Sequence, residues 1–167
     1  MHIRPAEPRD IPQIVKLGRQ LWELHITFDH NYYLLEENFD IQFEAWVKDQ
    51  LFSAYQFLHV AEDIQIPTPI NGQIQENVIT GFVAGFLKPL FPWFKTKMVG
   101  HISYLIIDPK FRRQKIGKIL TESADKWFKE KNVTYVELYV EEKNTVVQSA
   151  WNNYGFGPFK RFLRKTI

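Results

Sequence analysis

The chain has 167 residues, which is enough for one domain with a sizeable core, and we expect a single domain over residues 1–167. It contains no cysteine, so disulfides, thiolate catalysis and cysteine-based zinc sites are excluded. The 21 Lys and Arg residues nearly balance the 19 Asp and Glu residues, so a general affinity for nucleic acid is not expected and any basic site must be local. Charges near the start and the lack of a long apolar run predict a cytoplasmic protein that binds no membrane.

Hydrophobic periodicity in the first half of the chain predicts short strands around two helices. In chain order these elements are a strand at residues 1–5, helices at 11–25 and 36–53, a strand at 55–63 and a turn-rich loop at 64–77. Asp10 is placed to cap the first helix, and Gln13, three residues later, gives the spacing of a capping box.

The second half of the chain is richer in strands. Its predicted elements are strands at 78–89 and 101–108, a helix at 116–131, a strand at 133–142, a helix at 144–154 closed by Gly155, and a last strand at 159–167. The order is therefore β-α-α-β-β-β-α-β-α-β. Consecutive strands favour antiparallel pairing, whereas strand-helix-strand needs a parallel crossover. The fold class predicted is α/β, a mixed sheet with helices on both faces.

A basic junction, DPKFRRQKIGKIL at residues 108–120, follows a strand and opens a helix. Cations in the first turn of a helix oppose the helix dipole, so we expect an anion, most simply a phosphate, to compensate them. The arginines can bind phosphate oxygens through two N–H groups, the lysines add point charge, and Gly117 allows close approach. The cations concerned are Lys110, Arg112, Arg113, Lys115 and Lys118. The alternative is a solvated helix start; neither the P-loop pattern nor the Rossmann fingerprint is present.

Three segments of the chain resemble the GCN5-related N-acetyltransferases, the GNAT family. The junction matches the family's Q/R-x-x-G-x-G/A signature and its lead-in at Leu105, Ile107, Pro109, Phe111, Arg112, Ile116, Gly117 and Leu120. NTVVQSAWNNYGF at 144–156 matches a second block at Asn144, Gly155 and Phe156. The opening, IRPAEPRDIPQIVKL, is similar to the family's first strand and helix.

The resemblance implies that the anion is the pyrophosphate of acetyl-CoA, the acyl donor. The loop amides that would bind it belong to Arg113, Gln114, Lys115, Ile116, Gly117 and Lys118. The pantetheine arm would pair with the backbone of Ile106 and Ile107 where two strands splay apart, and Asn144 would contact the same arm. A backbone N–H near Ile107 would polarise the thioester carbonyl.

The sequence departs from the family pattern at two positions. Lys115 stands where the signature has its first glycine, which narrows the room for pyrophosphate. Trp151 stands where the family often has a tyrosine general acid, and an indole gives up no proton near neutral pH. Trp151 then shapes the pocket while Tyr154 or water supplies the proton. His101, where some members carry a glutamate, is the candidate base; a packed histidine and a packed tyrosine are the alternatives.

The acceptor pocket is expected from the segment LWELHITFDHNYYLL at 21–35, with PLFPWFKTK at 89–97 as a possible wall. His25, Asp29 and Tyr33 are the candidate substrate-binding residues, because a carboxylate attracts an ammonium and tyrosine rings cover its carbon chain. The spacing of the histidines with Asp29 matches no metal motif, so no metal is expected. The alternative is a loop that packs its aromatic side chains onto the core.

The resulting hypothesis is an acetyl-CoA-dependent N-acetyltransferase that acts on a primary amine of a small molecule or peptide. The alternative is a CoA-binding sensor or interaction module of the same fold that has lost catalysis, which the tryptophan at position 151 motivates. Many members of the family pair through sheet edges or terminal strands, so the resemblance also implies a homodimer.

Overall fold

The computed structural model describes residues 1–63 and 77–167. The strands are β1 (His2–Pro5), β2 (Gln56–Asp63), β3 (Val78–Pro89), β4 (Met98–Ile107) and β5 (Val136–Leu138). The helices are α1 (Ile11–Phe28), α2 (Phe39–Phe52), α3 (Ile116–Glu130) and α4 (Thr145–Asn153), with short 3-10 turns at Pro8–Asp10 and Pro109–Phe111. The loop predicted at 64–77 lies outside the described residues except for Asn77. Across the described ranges, no helix is long and apolar enough to cross a membrane.

The five strands form one mixed sheet in the order β1-β2-β3-β4-β5. The first three pairings are antiparallel and the β4–β5 pairing is parallel. The crossover from β4 to β5 runs through α3, as a parallel connection requires. The predicted fold class and the order of elements as far as α4 are confirmed.

The sheet has a separate hydrophobic cluster on each face. On one face, α1 and α2 pack through Ile14, Phe43 and Val47 onto Val60 and Phe82. On the other, α3 and α4 pack onto the sheet through Leu120, Ala124, Phe128 and Trp151. Both faces are therefore covered, which explains why β3 reads as a nearly continuous apolar run.

Two irregularities open the sheet beside β4. The β3–β4 register shifts so that Ala84 pairs with Tyr104 and Gly85 with Ile102, which leaves Ser103 as an extra residue, a β-bulge. The β4–β5 pairing ends at Ile102 and Leu138. The strand predicted at 133–142 thus pairs over only three residues. Within the described chain, the rest of β4 has a neighbour on the β3 side alone.

Two local predictions were wrong. Asp10 does not cap α1 with its side chain; its carboxylate accepts hydrogen bonds from Arg4 at 2.7 and 2.9 Å and from the Glu7 N–H at 2.8 Å. Gln13 instead accepts from the Ile79 N–H at 2.9 Å. The buried carboxylate of Asp10 needs a cationic partner more than the helix end needs a cap, because an unpaired buried charge is costly.

The last predicted strand, 159–167, was also wrong. Helix α4 ends in a Schellman motif, with Gly155 at φ 94° and the Phe156 N–H donating to Trp151 O at 3.0 Å. The residues that follow have no regular structure. A strand needs an adjacent edge, and β5 is only three residues long, so the apolar pattern of this segment has no ladder to join.

Candidate active site

The loop that joins β4 to α3 is tightly held at its start. The Asp108 N–H donates to Thr80 O on β3 at 2.8 Å, and the Asp108 carboxylate accepts from the Lys110 N–H at 2.9 Å. Arg112 Nε donates to Ile107 O at 3.3 Å. These bonds fix the direction in which the chain leaves the sheet and turns into the helix.

The second part of the loop presents free backbone donors. Arg113 and Lys115 have positive φ values of 64° and 62°, and Lys115 is the N-cap of α3 without a side-chain cap bond. Within the described part of the chain, the backbone N–H groups of residues 113 to 118 donate no hydrogen bond. Alternation into the left-handed region turns successive N–H groups toward one concavity, which favours an anion. The loop therefore fits a phosphate group.

The side chains around this concavity are cationic and largely unpaired. The first turn of α3 contains no acidic residue. Lys118 is 3.8 Å from Glu122, whereas Arg112, Arg113 and Lys115 are in no ion pair with the described residues. All four side chains are exposed. The helix dipole and these charges act together on an anion at this end of α3.

Gly117 has no room for a side chain. A Cβ atom at this position would lie 2.7 Å from Tyr154 Oη and 3.3 Å from Ile107 Cδ1. The glycine thus lets α4, through Tyr154, approach the first turn of α3 closely. Burial raises the pKa of Tyr154 above that of a free tyrosine, so its hydroxyl stays protonated at neutral pH.

Ile106 and Ile107 lie on the part of β4 that has no described partner on the β5 side. This open edge runs directly into the anion-binding loop, so an extended ligand arm can continue from the loop along the strand. Asn144 caps α4, where its side-chain oxygen accepts from the Val147 N–H at 3.2 Å. Its contact with a ligand arm stays a prediction.

His101 belongs to a polar cluster on the α1 and α2 side of the sheet. Its ring centroid lies 5.0 Å from that of Phe86 and 5.1 Å from that of Tyr139. Lys88 Nζ is 2.6 Å from Glu137 Oε1. His101 is buried, and its Nδ1 atom has no hydrogen-bond partner among the described residues. Burial, and then the charge of Lys88, lower the pKa of His101, so the ring is neutral at pH 7.

Trp151 and Tyr154 pack on the opposite face of the sheet from His101. Trp151 is buried, with its ring 5.7 Å from Tyr154 and 5.1 Å from Phe156, both edge-to-face. Ile102, the neighbour of His101, points toward this face, and alternation along β4 places His101 on the other. The two sets of candidate catalytic residues are thus separated by the sheet, and the open edge of β4 lies beside both.

His25 and Tyr33 come together at the carboxyl end of α1. Their rings are 5.2 Å apart, and Trp22 lies 5.1 Å from His25 and 6.0 Å from Tyr104. The Tyr33 hydroxyl donates to Glu141 Oε2 at 3.0 Å. Burial and then this bond raise the pKa of Tyr33 to about 12. These residues form an aromatic wall with one carboxylate.

Asp29 lies at the end of α1, where it is bound by the carboxyl-terminal residues. Arg164 Nη2 is 2.5 Å from Asp29 Oδ2, and the guanidinium carbon lies 4.5 Å from the centre of the Tyr32 ring. The hydrogen bond from Arg164, and then the one from the Tyr32 N–H, lower the pKa of Asp29. Its carboxylate is therefore already paired with a cation.

The sequence reasoning missed Lys88, Glu141 and Arg164. Glu141 lies near the end of the strand predicted at 133–142 and shortly before Asn144, and this position was a usable signal. Arg164 is 135 residues from Asp29, and no local pattern indicates that contact. The rings of the 89–97 segment contact one another, with Phe91 and Trp93 stacked at 4.7 Å, and its role as a wall stays a prediction.

The comparisons with known proteins agree with this geometry. The model of the Acetyltransferase (GNAT) family matches residues 26–156. No curated protein matches the sequence significantly. Among solved structures, the tetramutant of the BH1408 protein from Bacillus halodurans is similar, with a TM-score of 0.81 at 20% identity over 100% of both chains.

Two similar structures are aminoglycoside acetyltransferases. The 6′-N-acetyltransferase AAC(6′)-IG from Acinetobacter haemolyticus has a TM-score of 0.73 at 14% identity, over 100% of this chain and 98% of that one. AAC(6′)-Iy in complex with CoA has a TM-score of 0.74 at 17% identity, over 99% of this chain and 93% of that one. Identities this low establish a shared fold and no shared substrate.

Proposed function

The chain belongs to the GNAT family of acetyltransferases, and from this premise we propose that it transfers the acetyl group of acetyl-CoA to a primary amine of a small molecule or peptide. One observation carries the proposal. The backbone N–H groups of residues 113 to 118, which donate to no described residue, and the exposed cations beside them lie at the end of an open strand edge. This is what a pyrophosphate with a long extended arm requires.

Acetyl-CoA is the acyl donor, and the loop binds its pyrophosphate. The pantetheine arm lies along Ile106 and Ile107, toward the β-bulge at Ser103. The thioester is thereby brought between β4 and β5, where the two faces of the sheet meet. A backbone N–H near Ile107 polarises the thioester carbonyl. Arg112, Arg113, Lys115 and Lys118 hold the phosphates by charge.

The reaction requires an uncharged amine and a protonated leaving thiolate. The amine nitrogen forms a bond to the acetyl carbon while the carbon–sulfur bond breaks, and the amine loses one proton. We assign that proton to His101, directly or through water, because its ring is neutral at pH 7 and its Nδ1 atom has no hydrogen-bond partner among the described residues. The thiolate takes a proton from Tyr154 or from water, while Trp151 shapes the pocket.

The amine enters from the α1 and α2 side of the sheet. The wall of Trp22, His25, Tyr33 and Tyr104 is aromatic, and Glu141, which accepts a hydrogen bond from Tyr33, supplies negative charge beside it. An ammonium is attracted to this combination of ring faces and carboxylates. Two of the structural neighbours are aminoglycoside N-acetyltransferases, which supports an amine acceptor for this chain.

The proposal is tested by thiol release from acetyl-CoA over a panel of primary amines, together with calorimetry of CoA binding. We expect CoA binding and turnover with at least one cationic amine. Absence of CoA binding would overturn the proposal. Tight CoA binding without turnover on any amine would favour the second candidate, a CoA-binding sensor, for which the buried Trp151 in the place of the usual tyrosine is the supporting observation.

We also propose a homodimer. Phe159, Phe162 and Leu163 are each at least 80% exposed in the single chain, and this much free apolar surface is typical of an interface. Sedimentation equilibrium should give the mass of two chains, and a single-chain mass at micromolar concentrations would refute the dimer.

A further inference from the structure

The carboxyl-terminal segment, residues 158–167, lies across the acceptor side of the sheet. It has no regular structure, and its residues are exposed. Lys160, Arg161, Arg164 and Lys165 make it basic, and it contains no acidic residue. A basic segment without its own hydrogen-bonded structure is held in place by whatever its side chains contact.

Two contacts hold this segment against the proposed acceptor site. The Phe162 ring lies 6.2 Å from Tyr139, a member of the His101 cluster. Two residues later, Arg164 pairs with Asp29 and lies over the Tyr32 ring. The segment therefore contacts both the cluster around His101, through Tyr139, and the end of α1, through Asp29 and Tyr32.

The surroundings of Arg164 are suited to a planar cation. One oxygen of the Asp29 carboxylate accepts a hydrogen bond from Arg164, and the other accepts from the Tyr32 N–H at 3.2 Å. The Tyr32 ring covers the face of the guanidinium. A carboxylate combined with an aromatic face is the arrangement that binds guanidinium and ammonium groups. Tyr32 is 60% exposed, so a ligand from solvent can reach the same ring.

We propose that Asp29 and Tyr32 form a second cation subsite of the acceptor pocket, which Arg164 occupies until a substrate with a second positive charge displaces it. This inference rests on the proposed function, because it places the reacting amine at His101. It narrows the acceptor to amines that carry a guanidinium or a further ammonium at the other end of their carbon chain. Mono-amines would lack the group that displaces the arginine.

If Arg164 competes with a substrate cation for Asp29, substitutions at either residue should change the measured affinity for the substrate. Arg164→Ala removes the internal competitor, so a dication should bind more tightly by about twofold to fivefold, the range expected for an exposed ion pair. Asp29→Asn removes the subsite, so a dication should bind no more tightly than a mono-amine of the same length. Arg161→Ala is the matched control, because Arg161 is an exposed arginine of the same segment and is in no ion pair with a described residue.

The experiment is calorimetry of the full chain with agmatine and with n-butylamine, in the absence of acetyl-CoA. A gain for agmatine in Arg164→Ala, with no gain in Arg161→Ala and none for butylamine, supports the subsite. An equal gain for butylamine, an equal gain in Arg161→Ala, or unchanged agmatine binding in Arg164→Ala would overturn it. Because no acyl donor is present, a failure of acetyl transfer leaves these results unaffected, and circular dichroism confirms that each variant is folded.

Discussion

The two sides of the candidate site are built from different parts of the chain. On the donor side, the loop after β4 offers backbone N–H groups, and its cationic side chains are exposed; Arg112, Arg113 and Lys115 form no ion pair with the described residues. On the acceptor side, the polar atoms belong to side chains, and most of them are already paired, as in Lys88–Glu137, Tyr33–Glu141 and Arg164–Asp29. The donor side thus depends on backbone shape, whereas the acceptor side depends on the identity of each residue.

Substitution of Gly117 should break the donor side most severely. Glu at this position would collide with the Tyr154 hydroxyl, 2.7 Å from the new Cβ atom, and place a negative charge at the start of α3. Burying that charge beside a pyrophosphate costs several kcal/mol, so we expect CoA affinity to fall by about a thousandfold. Calorimetry with CoA measures the change.

Gly157→Glu is the control for this substitution. Gly157 is exposed, and a Cβ atom there would have no neighbour within 4 Å. This variant adds the same charge to the same chain and should bind CoA as the parent does. If Gly117→Glu is folded and keeps its affinity, the phosphate does not lie at this helix terminus.

Substitution of His101 should have the largest effect on the acceptor side. Loss of a general base lowers the rate by about a hundredfold or more, so His101→Gln should lower kcat by about that factor while CoA binding is retained. The pKa of His101 is lowered from 6.5 by burial. Activity of the parent should therefore fall only below pH 6.5, as the ring gains a proton, and this acidic limb should disappear in the variant.

The pH dependence of folding stability provides an independent test of the lowered pKa of His101. Because the folded-state pKa is lower than the unfolded-state value of 6.5, the unfolded chain takes up the proton first as the pH falls. The folded state should thus lose stability below pH 6.5, and His101→Gln should reduce that loss.

His59 supplies the matched control. It is a half-buried histidine whose pKa is also lowered by burial, and it contacts Ser123 Oγ at 3.1 Å on the α3 side. His59→Gln should reduce the same stability loss and leave the pH dependence of kcat unchanged. If kcat of both variants kept the pH dependence of the parent, neither ring would be the group that removes the amine proton.

The same difference explains what the sequence could predict. The donor loop is a continuous segment of eleven residues, 108–118, whose charge pattern and glycine are local, so the anion site and its residues could be proposed directly. The acceptor side is assembled from α1, β3, β4, β5 and the carboxyl-terminal segment. Arg164 and Asp29, which are in contact, are 135 residues apart in the sequence, and Tyr33 and Glu141 are 108 apart. Hydrophobic periodicity does not predict such long-range contacts.

Prediction of the fold was limited in the same way, because strand pairing also depends on segments that are distant in the sequence. The bounds of β3 were predicted residue for residue, because a strand buried on both faces has a nearly continuous apolar run, here ended by a proline. The segment 159–167 has four apolar residues among nine and formed no strand. Apolar content indicates that a segment can be buried, whereas pairing depends on whether another strand offers an edge.

Substitutions of Lys115 should have the smallest effects, and they distinguish the contribution of charge from that of backbone conformation in the donor loop. Its φ of 62° lies in the left-handed region, where a side chain costs about 1 kcal/mol and glycine costs nothing. The left-handed conformation is a physical reason for glycine at this position of the signature that is independent of room for the phosphate. Lys115→Gly should raise stability by roughly 0.5 kcal/mol after the greater entropy of the unfolded glycine is subtracted.

Lys115→Ala is the companion variant, since it removes the same charge and keeps the strained backbone. If shape governs the donor side, Lys115→Gly should bind CoA within about threefold of the parent and more tightly than Lys115→Ala. Equal losses of about tenfold in both variants would instead show that the ammonium pairs with phosphate. The free energy of unfolding from urea titration and the CoA affinity from calorimetry together decide between these outcomes, because only relief of backbone strain raises stability in one variant alone.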